Sequence, residues 1–286
     1  MINHHEAIES FKNAMFDIIG YAPDNIIGDS KLHRVKDTHG KLNGAYVLHL
    51  DDRPAGYVED FKQGIKQNWK MKGGAFVPLS QLQTKMLKAK HQQQEIERQQ
   101  AEIAKHRESA TKALYIWNTA PPAPANHPYL IKKHITIHGA RLGRGNTLII
   151  PLTNSKNEIV NLQFISETGG KRFLAGGQKK GCFYILAGNT NKIVICEGVA
   201  TGASLFESSG FMTVIAFDAG NLKEVATNIR ALYPEIEIVI AGDNDLSGVG
   251  QKKAIEAALA IHGKYIIPAT PGHDWNDSLT MEVQNA

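Results

Sequence analysis

Lys192-Ile-Val-Ile-Cys-Glu-Gly-Val-Ala-Thr201 is the stretch on which the fold turns. An apolar run of strand length stops at an acid–glycine pair, and the residues beyond it, to about Ser209, read as a helix. The same arrangement recurs downstream. Thr213-Val-Ile-Ala-Phe217 precedes a helix that Asn221 and Glu224 can cap. Ile236-Glu-Ile-Val-Ile-Ala241 precedes a helix ending near His262, with Gly263 past its end. Tyr265-Ile-Ile-Pro268 closes the series. Apolar runs alternating with helices at this spacing predict βαβ units. The class is α/β, with a mainly parallel four-stranded sheet buried on both faces over residues 191–286.

Ligands of parallel α/β sheets bind at the carboxyl ends of the strands. The acids fall there: Glu197 after the first run, Asp218 after the second, Asp243 and Asp245 after the third, Asp274 and Asp277 after the fourth. Clustered carboxylates repel one another unless something neutralises them. A hard divalent cation with oxygen ligands is the usual answer, and such ions orient and neutralise the oxygens of a phosphoryl displacement. Each acid also has a plainer reading. Asp243 and Asp245 could be turn or N-cap residues, Asp218 a turn residue beside Gly220, Asp274 a cap, and Glu197 a surface carboxylate.

The charge distribution along the chain points the same way. Residues 129–181 hold nine Lys and Arg against two acids, whereas residues 192–286 hold six against twelve. A basic block feeding an acidic block suits a polyanion led to a metal centre. Lys171, Arg172, Lys179 and Lys180 are the candidate phosphate-binding residues of the basic block; the plainer reading is an exposed, charge-protected hairpin edge. The chain has 286 residues, 42% hydrophobic and 21% charged, which is ordinary globular material. Two cysteines without a CxxC pair exclude a zinc ribbon, and the twelve histidines supply no HxH pair. No apolar run reaches the roughly 18 residues of a membrane span. MINHHEAIES lacks the basic and apolar regions of a signal peptide, so a cytoplasmic location is expected, with no membrane partner.

Upstream, Ala45-Tyr-Val-Leu-His-Leu50 and Ala55-Gly-Tyr-Val58 read as strands joined at Asp51-Asp-Arg-Pro54, after a helix from Glu6 to Ile19. They give a basic α+β module over 1–78. Ser80 with Gln83 forms a capping-box pattern. A polar helix follows over 79–120, and its KAKHQQQE at 88–95 leaves no apolar stripe to pack. Pro121-Pro-Ala-Pro-Ala-Asn-His-Pro128 ends it. Runs at 147–152, 159–165 and 182–186 then predict a small antiparallel sheet within a basic α+β region, 121–190.

Glu197-Gly198 after one strand and Asp243-x-Asp245 after a later one resemble the Toprim domain shared by bacterial-type primases, topoisomerases and some nucleases. His127-Pro-Tyr-Leu130, Ile150-Pro-Leu152, Asn161-Leu-Gln-Phe-Ile165, Lys171-Arg-Phe-Leu174, Ala216-Phe-Asp-Ala-Gly-Asn-Leu222 and Asp274-Trp-Asn-Asp277 extend the resemblance to the Toprim primases of plasmids and satellite phages. Leu32 to Gly74 also looks like the module that precedes Toprim in that group. The resemblance implies a primase that makes short RNA primers on a single-stranded DNA template from NTPs. Glu197 would be a general acid/base or a metal ligand; Asp243 and Asp245 would hold Mg²⁺ or Mn²⁺, with Asp277 as a further metal residue and Asp218 and Asp274 as additions to the acidic edge. Lys171 and Arg172 would contact template or nucleotide phosphates.

The chain departs from such primases in having no zinc-binding module and no G-x-x-x-x-G-K-[ST] helicase segment, and in carrying Thr201 where some relatives have an acid. A zinc-bearing replication protein or a replicative helicase would then be a partner. The same acidic edge would also serve a metal-dependent nuclease, and the basic block alone a non-catalytic single-strand binding protein.

Overall fold

The structure is a computed structural model that describes residues 4–51, 53–72 and 81–284. The Ser80–Gln83 capping pattern lies outside the described residues. The chain divides into two compact units, Met1–Lys90 and His91–Ala286.

In the first unit, helix α1 (His4–Ile19) carries Ala7, Phe11, Met15 and Ile19 on one buried stripe at helical spacing. It packs on an antiparallel sheet of β1 (His33–Val35), β2 (Gly44–His49), β3 (Ala55–Asp60) and β4 (Ile65–Lys70), in that order. Tyr46, Leu48 and Val58 complete this core. The sequence reading finds β2 and β3 but passes over β4: Ile65-Lys-Gln-Asn-Trp-Lys70 is too polar to read as a strand. It forms one because it is an edge strand, where lysines are favoured.

Helix α2 (Gln81–Thr119) would measure about 58 Å at 1.5 Å per residue. Its C-terminal turns dock in the second unit, where Ala113, Ile116 and Trp117 meet Ile149 and Leu162. Fully burying Ile149 and Leu162 contributes roughly 1.5–3 kcal/mol each.

The second unit continues with α3 (Pro128–Lys133) and an antiparallel sheet of β5 (Arg141–Gly143), β6 (Thr147–Thr153), β7 (Ile159–Ile165) and β8 (Lys171–Phe173). Next come β9 (Tyr184–Leu186), β10 (Asn189–Cys196), α4 (Val199–Ser209), β11 (Phe211–Ile215), α5 (Leu222–Leu232), β12 (Glu237–Ala241), α6 (Val249–Ala260), β13 (Lys264–Ile266) and α7 (Trp275–Gln284). The sheet order is β13-β12-β10-β11-β9. Its first four strands are parallel, as the α/β reading expects. The fifth, β9, belongs to the run expected in the antiparallel sheet; instead it pairs antiparallel with β11 and covers that edge.

Alternation along β10 feeds two cores. Ile193 and Ile195 join Val214, Ile238 and Ile240 beneath α5 and α6. Val194 and Cys196 join Ile215 and Ala241 beneath α4 on the other face. Asn221 does not cap α5 with its side chain, contrary to expectation. It is buried, with Nδ2 donating to the carbonyls of Lys179, Cys182 and Ala216 and Oδ1 accepting from Gly181 N–H. Asp218 caps the short 3₁₀ turn Ala219–Asn221 instead. Among the described residues no helix is long and apolar enough to cross a membrane.

Candidate active site

The parallel strands deliver their acids to one edge. A cleft of about 360 Å³ opens there, lined by the acids Glu197, Asp218, Asp243 and Asp274 and by the bases Lys132, Lys133 and Lys171. Tyr129 and Phe217 also face it. Asp245, Asp277, Arg172, Lys179 and Lys180 lie outside its lining.

Glu197 and Asp243 form the floor. Glu197 Oε1 and Asp243 Oδ1 are both buried without a hydrogen-bond partner. Burial, then the charges of Asp243, Asp218 and Asp245, push the Glu197 carboxyl up to about 7. Burial and the charge of Asp274 push Asp243 up to about 6, against the pull of Lys171. Asp245 is held differently. Its Oδ2 accepts Gly250 N–H at 2.6 Å and its Oδ1 accepts the Ser247 hydroxyl at 2.5 Å. Burial works to raise it, but these hydrogen bonds outweigh burial and hold its carboxyl below the usual range. The N-cap reading of Asp245 thus describes part of what it does: it fastens the start of α6. Gly250 then sets the spacing of the floor. A β-carbon there would fall 2.7 Å from Asp245 Oδ2, 2.8 Å from the Asp243 carbonyl oxygen and 3.4 Å from Glu197 Oε1.

Asp274 and Asp277 brace the edge. Asp274 Oδ1 accepts Asp277 N–H at 2.8 Å, and Asp277 Oδ2 accepts Asp274 N–H at 3.3 Å, a reciprocal cap on α7. Lys133 Nζ reaches both, at 3.9 and 3.5 Å. Between them, Trp275 Nε1 donates to the Gly242 carbonyl beside Asp243. Asn276 Nδ2 donates to the Lys133 carbonyl and to Ser204 Oγ. Trp275 thereby holds the Asp243 turn in place.

The four basic candidates separate. Lys171 enters the cleft, and burial, then the nearby Lys133, lowers its ammonium pKa. Arg172, the next residue along the strand, stacks over Phe164 instead, 5.0 Å from its ring centroid. Lys179 pairs with Asp218 at 2.5 Å and Lys180 with Glu224 at 3.1 Å. Lys133, Tyr129 and Gly250 are the residues that sequence reasoning did not single out. Lys133 was visible only as one charge among nine, because its acidic partners lie at the other end of the unit's sequence.

Among the described residues no three His, Cys, Asp or Glu side chains form a ready-made metal cage. The two orphaned carboxylate oxygens still fit a hard dication of the Mg²⁺ kind. Such an ion takes one or two carboxylates and completes its shell with water and substrate phosphate.

The Toprim domain family matches residues 192–285. Two proteins of Escherichia coli, both named DNA primase TraC, are similar to the chain. One is 35% identical over 266 residues, covering 87% of this chain and 25% of that protein; the other is 35% identical over 290 residues, covering 94% and 20%. The chain thus spans a quarter or less of the length of these relatives. Among solved structures, the DnaG primase catalytic domain bound to ssDNA is similar with a TM-score of 0.46 and 11% identity, over 64% of this chain and 77% of that one. The primase fragment of the bacteriophage T7 primase-helicase protein has a TM-score of 0.43 and 17% identity, over 56% and 73%.

Proposed function

We propose, on the premise that residues 192–285 are a Toprim domain in a chain akin to plasmid DNA primases, that this protein synthesises short RNA primers on single-stranded DNA by divalent-metal-dependent nucleotidyl transfer. The observation that carries the reading is the cleft itself. Two buried carboxylate oxygens without partners lie in the same cleft as Lys171 and Lys133. Anions and cations lining one cleft suit a phosphate that arrives with its own cation.

In the reaction a primer 3′-hydroxyl attacks the α-phosphorus of an NTP, a new P–O bond forms, and pyrophosphate leaves. Glu197 and Asp243 would hold Mg²⁺ or Mn²⁺, which when bound offsets the charge on the phosphoryl oxygens. Asp245 keeps the turn and α6 fixed around them. Lys171 binds phosphate oxygens across the cleft, and Lys133 joins it by exchanging Asp274 and Asp277 for the substrate. Asp277 and Asp274 act by keeping the start of α7, and with it the Asp243 turn, in register. The setting we infer is plasmid or phage replication or transfer in the cytoplasm, where a helicase or a zinc-bearing replication protein helps choose the start site.

The test is primer synthesis on single-stranded DNA with labelled NTPs and Mg²⁺ or Mn²⁺, for the wild-type chain, Asp243→Asn and Glu197→Gln. Short products that vanish in both variants support the reading. Template degradation lost in the same variants would assign a nuclease instead. Binding without either activity would leave a single-strand binding protein.

A further inference from the structure

The first unit has a sheet face that plays no part in the acidic cleft. α1 covers one side of that sheet, with Phe11 against Tyr46 and Trp69 at ring-centroid distances of 5.7 and 5.1 Å. Strand alternation places Arg34, Tyr57, Lys66 and Lys70 on the other side, with Tyr57 opposite Asn68 in register, Glu59 opposite Lys66 and Ala55 opposite Lys70.

The side chains on this face form cation–aromatic pairs. Lys66 Nζ lies 4.8 Å from the Tyr57 ring centroid, and the Arg34 guanidinium carbon lies 4.4 Å from that of Phe61. Phe61 is 49% exposed and the Lys66 side chain 62%. Glu59, 3.7 Å from Lys66, is the acid among them. The exposed acids of α1, Glu6, Glu9 and Asp17, belong to the opposite side of the sheet. At one end the face runs into a cleft of about 240 Å³ bounded by Arg53, Pro54, Ala55, Lys70 and Met71.

A half-buried ring, Tyr57, and an exposed one, Phe61, each beside a cation, match what an unpaired polynucleotide strand presents. Bases stack on rings whatever their sequence, and cations follow the phosphates between them. A duplex hides its bases, and a protein partner would call for a larger apolar patch than Phe61 offers. We propose that this face is a platform for single-stranded nucleic acid, with Tyr57 and Phe61 taking bases and Arg34, Lys66 and Lys70 taking phosphates. The proposal stands on the first unit alone and does not depend on the primase reading.

The experiment measures anisotropy of labelled oligo(dT) and oligo(U) of equal length with the full chain, over a salt series. The variants are Lys66→Glu combined with Lys70→Glu, and Tyr57→Leu. The double lysine variant should weaken binding at least ten-fold, and the slope of log K against log salt should flatten by about 0.7 for each phosphate no longer neutralised. Tyr57→Leu should weaken binding about five-fold or more with the slope kept. The tighter of the two oligonucleotides identifies the polymer. Wild-type affinity and slope in the double lysine variant, folded by circular dichroism, would overturn the proposal. Because both lysines are exposed, that variant reports on binding rather than folding.

Discussion

Gly250→Ala offers a sharp perturbation of the acidic cleft. The new β-carbon would fall 2.7 Å from Asp245 Oδ2 and 2.8 Å from the Asp243 carbonyl oxygen, both well inside ordinary van der Waals separation, and 3.4 Å from Glu197 Oε1. Gly250 is already in α6, so alanine improves helix propensity by up to about 1 kcal/mol. Against that, the Asp245 carboxylate must leave its 2.6 Å bond to the Gly250 N–H, a charged hydrogen bond worth roughly 1.5–3 kcal/mol. The two terms largely offset, so the variant should melt within a few degrees of wild type. Its chemistry should suffer far more, because a displacement of about 1 Å at a catalytic group costs on the order of 10²-fold in rate.

Gly248→Ala supplies the opposite case. Gly248 has φ 73° and open space around its would-be β-carbon. Alanine there should cost about 1–2 kcal/mol of stability and leave primer synthesis near wild type. Primer synthesis and thermal melting of both variants decide the matter. Full activity in Gly250→Ala would refute the claim that Glu197 and the Asp243–Asp245 turn work as one rigid floor.

Three further outcomes follow from the same geometry. The Glu197 and Asp243 carboxyls are raised above their ordinary 4.5 and 3.8, so the folded chain keeps protons that the unfolded chain has lost, and metal-free stability should fall as pH rises from about 4 to 7. The fall should be on the order of 3 kcal/mol by urea melts in chelator at pH 5 and pH 8, and Asp243→Asn should flatten it; an unchanged slope in that variant would contradict the assignment. Lys171→Ala should lower NTP incorporation at least ten-fold, whereas Lys180→Ala, which loses only its exposed pair with Glu224, should stay within about two-fold, as steady-state kinetics can check. Asn221→Ala strands the carbonyls of Cys182 and Ala216 and the Gly181 N–H, and should cost about 3 kcal/mol in a urea titration.

The sequence made the parallel sheet legible because each strand there is an apolar run ended by an acid and followed by a helix. The strand ends alone put Glu197 and Asp243 side by side. What stayed hidden depends on contacts between distant segments. Charge along the chain shows Lys179 and Lys180 as free cations, yet Asp218 and Glu224 engage them. Asp274 and Asp277 look like metal ligands or caps; the fold uses them as a mutual cap that also holds Lys133. β9 left its expected sheet because the edge of β11 was there to pair with. β4 escaped notice because an edge strand needs little apolar content.

The braces around Asp243 also bear on biosynthesis. Trp275 and Asn276, which tie α7 to Gly242, Ser204 and Lys133, follow every strand of the parallel sheet in the chain. A ribosome therefore releases the strands, with Glu197, Asp218, Asp243 and Asp245, before it releases the residues that fasten them. While the chain is still growing, Lys133 lacks its acidic partners and the Asp243 turn lacks its tether. The cleft can take its working shape only when α7 emerges, so translation itself delays the moment at which this site can close around a substrate.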